Sequence, residues 1–173
     1  VTRLAVVALP RWHDHAHGAA VEALRRRHDP LASYVPAHVT LVFPVAVDDE
    51  SEVTGAAEAT AGATAPIDLR FTAIVPFADP LSGDTYAFLE PEDGAAVSAL
   101  HARLHAGSLA RFRRPDIPYR PHVTVGRVAG GAPLPADALA GPCPCPATLD
   151  RLTVLRLADA AAVPIASHPL TGT

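Results

Sequence analysis

Two stretches of this chain repeat one phrase, so whatever fold it adopts must accommodate that phrase twice. Residues 36–44 read Pro-Ala-His-Val-Thr-Leu-Val-Phe-Pro, and residues 121–127 read Pro-His-Val-Thr-Val-Gly-Arg, with the second histidine 84 residues after the first. β-Branched and aliphatic residues bounded by Pro and Gly predict a short buried strand in each place. Alternate residues of a strand share a face, so His38 and Thr40 project to one side, as do His122 and Thr124. Val39 and Leu41, like Val123 and Val125, project to the other. One such polar pair reads as local hydrogen bonding at a strand end. The same pair on two strands with matching proline and aliphatic neighbours calls for a common purpose and suggests an internal duplication.

The rest of the chain supplies similar elements around each copy. Leu4 to Leu9 predicts a buried strand stopped by Pro10, and Arg11 to His17 a loop leading into a helix, with Asp14 a candidate N-cap. Helical spacing over Ala19 to His28 places Ala20, Val21 and Leu24 inward, with Arg25-Arg26-Arg27 expected on the solvated face near the helix end. After the first motif strand, Asp48 to Glu52 begins an acidic helix that runs on to Ala63. Alternation over Ile67 to Phe77, a turn at residues 79–84 and the run Thr85 to Leu89 predict a hairpin. A helix over about Gly94 to Ala106 turns Ala96, Val97, Leu100 and Leu104 inward and leaves His101 and His105 exposed. A basic loop, Arg111 to Arg114, precedes the second motif strand. Gly130 to Pro146 reads as a connection with one short helical turn, and strands over Ala147 to Leu157 and Val163 to Leu170 close the chain. The expectation is one domain over residues 1–173, with lobes near 1–80 and 81–173 that are free to interleave.

Composition narrows the function classes. A net charge of −4 argues against a general nucleic-acid coat protein, although a local basic cleft stays open. All 14 basic residues are Arg, which excludes a P-loop and a covalent lysyl intermediate. Cys143-Pro144-Cys145 has one intervening residue, too few for a zinc knuckle or a thioredoxin-like pair. No apolar run is long enough for a membrane span and no signal-peptide pattern opens the sequence, so the expected setting is cytoplasmic, the expected state a monomer. The His13, His15 and His17 cluster raises a metal-dependent alternative, but no second group of ligands accompanies it.

Two imidazoles and two hydroxyls facing one cleft suit phosphodiester chemistry without a metal or other cofactor. A neutral histidine can take a proton from an attacking hydroxyl or water while a protonated one gives a proton to the leaving oxygen. An ordinary imidazole pKa of about 6.5 makes both forms accessible near neutrality. The threonine hydroxyls can donate to the non-bridging oxygens as charge builds.

The paired phrases His38-Val39-Thr40-Leu41 and His122-Val123-Thr124-Val125 resemble the two signatures of the two-histidine (2H) phosphoesterase superfamily, in its 2′-5′ RNA ligase-like branch. The resemblance extends over nearly the whole chain. It implies an α+β, bilobal fold with two pseudo-two-fold-related lobes, mainly antiparallel sheets around a central groove and helices outside. It also implies hydrolysis of 2′,3′-cyclic phosphates, on nucleotides or RNA ends, to 2′-phosphates, with ligation as the reverse reaction. His38 and His122 would be the acid/base pair, and Thr40 and Thr124 the phosphate-binding hydroxyls. Arg127 and Phe43 each lie five residues after a motif histidine; Arg127 is a candidate phosphate contact, and Phe43 a candidate base contact with core packing as the preferred reading. Tyr86, Tyr119 and Arg120 are candidates for the groove wall, Arg120 only if the strand is already regular before Pro121. Arg113 in the basic loop is a candidate contact to substrate phosphates or a stacked base, with a plain surface loop as the competing reading. A non-catalytic nucleotide- or RNA-end-binding module of the same fold is the alternative.

Overall fold

The structure is a computed structural model and describes residues 1–159 and 161–173. Its strands are β1 (Thr2–Ala8), β2 (Arg11–Trp12), β3 (Val39–Val47), β4 (Ile67–Ala78), β5 (Thr85–Pro91), β6 (Val123–Val128), β7 (Cys145–Leu149), β8 (Arg151–Ala158) and β9 (Ala161–Pro169). Its helices are α1 (His15–His28), α2 (Glu50–Gly62) and α3 (Ala95–Leu104). All the strands join one antiparallel sheet in the order β2-β7-β4-β5-β6-β3-β1-β8-β9. The motif strands β6 and β3 lie side by side at its centre and share a single paired position, Val39 with Val123. Two lobes splay from that point.

A pseudo-two-fold relation passes between β6 and β3. On one side β6 is followed outward by β5, β4, β7 and the short β2, and on the other β3 is followed by β1, β8 and β9. The helix that leads into each motif strand crosses to the opposite lobe: α1, between β1 and β3, packs on β6, while α3, between β5 and β6, packs on β3. Strands from the two sequence halves therefore interleave. The duplication is incomplete, because α2 follows the first motif strand and covers β8 and β9, whereas two 3₁₀ turns follow the second.

Local chemistry explains the ends of the helices. The Asp14 carboxylate accepts from the Ala16 N–H and that of Asp49 from the Ser51 N–H, which satisfies donors the helix cannot. One apolar core runs under both lobes, from Leu4 and Val6 through Leu41, Phe71 and Leu89 to Val123, Leu149 and Leu152. Among the described residues no helix is long and apolar enough to cross a membrane.

Five sequence expectations need correction. Arg25 is not solvated: it is 1% exposed, and its guanidinium meets Asp29 at 2.8 Å and Glu22 at 3.2 Å. His101 and His105 are not exposed helix residues, since His101 is half-buried and His105 buried, whereas Ala96, expected inward, is exposed. The predicted strand 147–157 is two strands, because the chain changes lobe at Asp150: β7 pairs with β4 and β8 with β1. Finally, β3 continues through Pro44, where its register against β1 shifts between Leu4 and Val6. A bulge is one of the few places a strand tolerates proline.

Candidate active site

Pairing Val39 with Val123 in antiparallel register sets His38 across from Thr124, and His122 across from Thr40. By that register each histidine lies across from the other motif's threonine, at the single paired position between the two motif strands. The rings are oriented alike. His38 Nδ1 lies 2.8 Å from the Pro36 carbonyl oxygen and His122 Nδ1 lies 2.7 Å from that of Arg120. A carbonyl only accepts, so both Nδ1 atoms carry the proton and donate it, and both Nε2 atoms are left for other chemistry.

The motif strands also share a distortion that alternation does not foresee. Against β1, Val7 pairs with Thr40 and Val6 with Val42, so Leu41 is an extra residue in β3. Against β5, Phe88 pairs with Thr124 and Ala87 with Gly126, so Val125 is an extra residue in β6. Each motif strand has a bulge at the residue after its threonine, and both show the same burial sequence from valine onward: buried, half-buried, buried, buried, exposed. The consequence is geometric. In an unbroken strand a residue five places after a histidine faces away from it; one inserted residue turns it back. Phe43 and Arg127 therefore share the face of their motif threonines.

The two sides of the groove differ. On the second-motif side an aromatic ladder supports the histidine: His122 stacks on Phe88 at 3.5 Å, Phe88 on Phe77 at 4.9 Å, and Tyr86 tilts against Phe88 at 5.7 Å. Arg127 lies over the Tyr86 ring at 5.5 Å, but its guanidinium is engaged by the buried Asp84, with Nε 2.8 Å from Oδ2. That hydrogen bond holds the Asp84 carboxyl below the usual carboxylate range. Arg120 bonds Glu90 at 3.0 Å and lies over Phe77 at 5.7 Å.

On the first-motif side the support comes from α3 and the loop ahead of β6. Where β3 leaves β6 its carbonyls lack strand partners, and side chains take over: the Tyr119 hydroxyl donates to the Thr40 carbonyl at 2.9 Å, and His101 Nδ1 to the Leu41 carbonyl at 2.7 Å. The two rings stack nearly parallel, 3.8 Å apart, and burial raises the Tyr119 phenol pKa. Phe43, 45% exposed, faces a small depression with Tyr119, His101, Phe112 and Arg114. Arg113 is exposed at the rim, and its charge helps to lower the His101 pKa, which burial lowers most.

Burial lowers both motif histidines. His122 falls to about 4, with the carbonyl of Arg120 opposing the shift and the charges of His38 and Arg120 adding to it. His38 is also lowered, burial again dominating, with Arg25 pushing the same way and the carboxylates of Asp29 and Glu22 pushing back.

Of the residues expected at the site, the structure brings Tyr86, Arg120 and Arg127 to the His122 side and Phe43, Tyr119 and Arg113 to the Thr40 side; the sequence did not single out Phe88, Phe77 or His101 for it. The alternation of Tyr86 with Phe88 on one strand was the available signal for Phe88. The His13 cluster lies elsewhere: His13 Nε2 is 2.8 Å from the Thr148 hydroxyl, and among the described residues no group of three or more His, Cys, Asp or Glu is placed to hold a metal ion.

Comparison with known proteins gives a consistent family. The model of the 2′-5′ RNA ligase superfamily matches residues 12–161. A relative from Geobacillus kaustophilus, provisionally named a phosphoesterase, is 34% identical over 110 residues, 62% of this chain and 61% of that protein. A Bacillus cereus relative with the same provisional name is 29% identical over 129 residues, 72% of this chain and 69% of its own. The chain thus spans about three fifths of the first relative's length. Among solved structures, TT0787 of Thermus thermophilus superposes with a TM-score of 0.67 at 20% identity, and Escherichia coli LigT complexed with 3′-AMP with 0.67 at 17%, each comparison covering 98% of both chains. At those identities the likeness is one of fold.

Proposed function

The chain belongs to the 2′-5′ RNA ligase superfamily of 2H phosphoesterases, and from that premise we propose that it hydrolyses 2′,3′-cyclic phosphates, on nucleotides or RNA ends, to 2′-phosphates without a metal. The observation that carries the reading is the Val39–Val123 pairing, which sets each motif histidine across from the other motif's threonine with both Nε2 atoms free of the backbone. LigT, a fold relative, has been crystallised with 3′-AMP, ATP and NADP⁺, which supports a nucleotide as the occupant of the groove.

The electrostatics favour a division of labour. At His38 the charge of Arg25 opposes protonation and the carboxylates of Asp29 and Glu22 favour it, whereas the charges acting on His122, a protonated His38 and Arg120, both oppose its own. A proton entering the site therefore settles first on His38. Neutral His122 takes a proton from water through Nε2 as the water oxygen bonds to phosphorus. The bond from phosphorus to the 3′ oxygen breaks, and His38 gives that oxygen its proton, leaving a 2′-phosphate and a 3′-hydroxyl. Thr40 and Thr124 donate to the non-bridging oxygens as their charge rises. A bound phosphodiester anion raises the proton affinity of both imidazoles, offsetting part of the effect of burial. A ribose hydroxyl attacking in place of water, with the same acid and base, gives a 2′-5′ linkage, and in the reverse step, where the 3′-hydroxyl re-forms the cyclic phosphate, the two histidines exchange roles.

The test is incubation with the four nucleoside 2′,3′-cyclic phosphates in excess EDTA, with products read by ³¹P NMR. Turnover that survives EDTA and yields the 2′-phosphate is expected. A 3′-phosphate product, or activity abolished by EDTA and restored by a divalent ion, would overturn the mechanism. Tight nucleotide binding with no turnover would favour a non-catalytic binding module.

A further inference from the structure

The two histidines of the site are held by different means. His122 rests on the aromatic face of Phe88. His38 has no aromatic ring stacked on it among the described residues, and its orientation descends instead from α1. Arg25, 1% exposed at the C-terminal end of α1, is gripped by the equally buried Asp29, with Nε at 3.0 Å and Nη2 at 2.8 Å from one carboxylate oxygen. Its Nη1 donates to Glu22 at 3.2 Å and to the Val35 carbonyl at 2.9 Å. The other Glu22 carboxylate oxygen accepts the Ala37 N–H at 2.6 Å. Residues 35 and 37 are thus pinned to the helix, and between them the Pro36 carbonyl receives His38 Nδ1–H at 2.8 Å.

We propose that Glu22 and Arg25 are the positioning residues of His38: through the backbone of residues 35–37 they fix the carbonyl that orients the imidazole, and the Glu22 carboxylate, paired with Arg25, offsets part of the guanidinium's opposing charge at this ring. A buried arginine matched with two carboxylates is a costly way to close a loop when apolar residues would serve stability as well, and a task of fixing the backbone beside His38 gives it a purpose beyond stability. The charged groups acting on His38 are Arg25 and Glu22 from α1 and Asp29 from its cap, and His122 faces it from the neighbouring strand. The inference rests on the reading of His38 as the proton donor.

Three variants separate the two effects. Glu22→Gln keeps an acceptor for the Ala37 N–H but loses the charge. Removing an anion lowers an imidazole pKa, so the alkaline limb of the rate profile, where the donor loses its proton, moves to lower pH. Glu22→Asp keeps the charge but shortens the reach, so kcat falls while the limb stays in place. Glu22→Ala does both, with kcat roughly 10- to 100-fold lower and KM little changed. A purely structural residue would scale the whole profile and leave the limb alone. A folded Glu22→Ala protein with wild-type kcat and an unmoved limb overturns the inference; if that variant does not fold, the Gln and Asp variants decide by the same contrast. Side-chain ¹⁵N NMR of His38 gives a reading independent of turnover. Loss of the Nδ1–H tautomer and a lower titration midpoint in Glu22→Ala support the proposal, and an unchanged ring refutes it. Should the wild type turn over no cyclic phosphate, the assigned reaction fails while the ring titration still judges the positioning.

Discussion

At the scale of single residues, the account makes Thr40 and Thr124 donors to charge that develops during the reaction. Removing one such donor from a dry site costs about 10²-fold in kcat. Thr124→Val and Thr40→Val, nearly isosteric at half-buried positions, are each expected to lose roughly that factor while melting within a few degrees of wild type. Equal losses in KM alone would point to ground-state binding instead. His122 makes a second prediction, in stability. Its pKa is about 4 in the folded protein against 6.5 for a free imidazole, so the unfolded chain binds the proton more tightly. Stability from this source is complete above about pH 6.5 and is lost as the pH falls toward about 4. Melting temperatures followed from pH 7 to 4 are expected to fall less steeply in His122→Phe. The paired histidines and threonines were legible in the sequence because both their chemistry and their spacing repeat. Arg25 was not, although the helical period held a clue. Val21, Leu24 and Arg25 share a buried stripe, and Glu22 and Asp29 lie three and four residues from the arginine. A run of three arginines reads as a solvated face when only composition is weighed.

At the scale of elements, the bulges decide which side chains reach the groove, and alternation alone gets this wrong. The first residues of each motif alternate as a strand should. Beyond the threonine the inserted Leu41 or Val125 reverses the parity, and nothing in the local sequence marks either as extra; the bulge exists because of what the strand pairs with on its far side. The division of the predicted strand 147–157 has the same origin, since a change of partner at Asp150 leaves no local trace. Helix placement, too, is set at β6. Gly126 lets α1 lie close: a Cβ there would stand 3.1 Å from His28 Cβ and 3.4 Å from Ala87 Cβ. Gly126→Val is expected to destabilise by about 1–3 kcal/mol through overpacking, measured by urea denaturation. Arg25→Met, which strands the buried Asp29 carboxylate, is expected to cost about 3 kcal/mol or more by the same measurement. A neutral result for Arg25→Met would mean that water reaches the triad.

At the scale of the whole molecule, one sheet is folded about a pseudo-two-fold relation, and the motif strands meet where its halves touch. The helix leading into each motif crosses to the other lobe, so neither lobe can move without carrying part of the other's site. The pseudo-two-fold relation repeats the two imidazoles and two hydroxyls that the proposed reaction would use, while the surroundings diverge: an aromatic ladder behind His122, an ionic triad behind His38. That divergence gives a symmetric constellation a preferred direction of proton flow. The central claim is that the two histidines act as one unit across the Val39–Val123 pair, and single-turnover hydrolysis of a 2′,3′-cyclic nucleotide by His38→Ala, His122→Ala and the double variant tests it most directly. Each single variant is expected to lose about 10³-fold or more, with the double variant scarcely worse, as befits residues that serve one transition state. Losses that multiply in the double variant, or a single variant that retains wild-type turnover, would contradict the account.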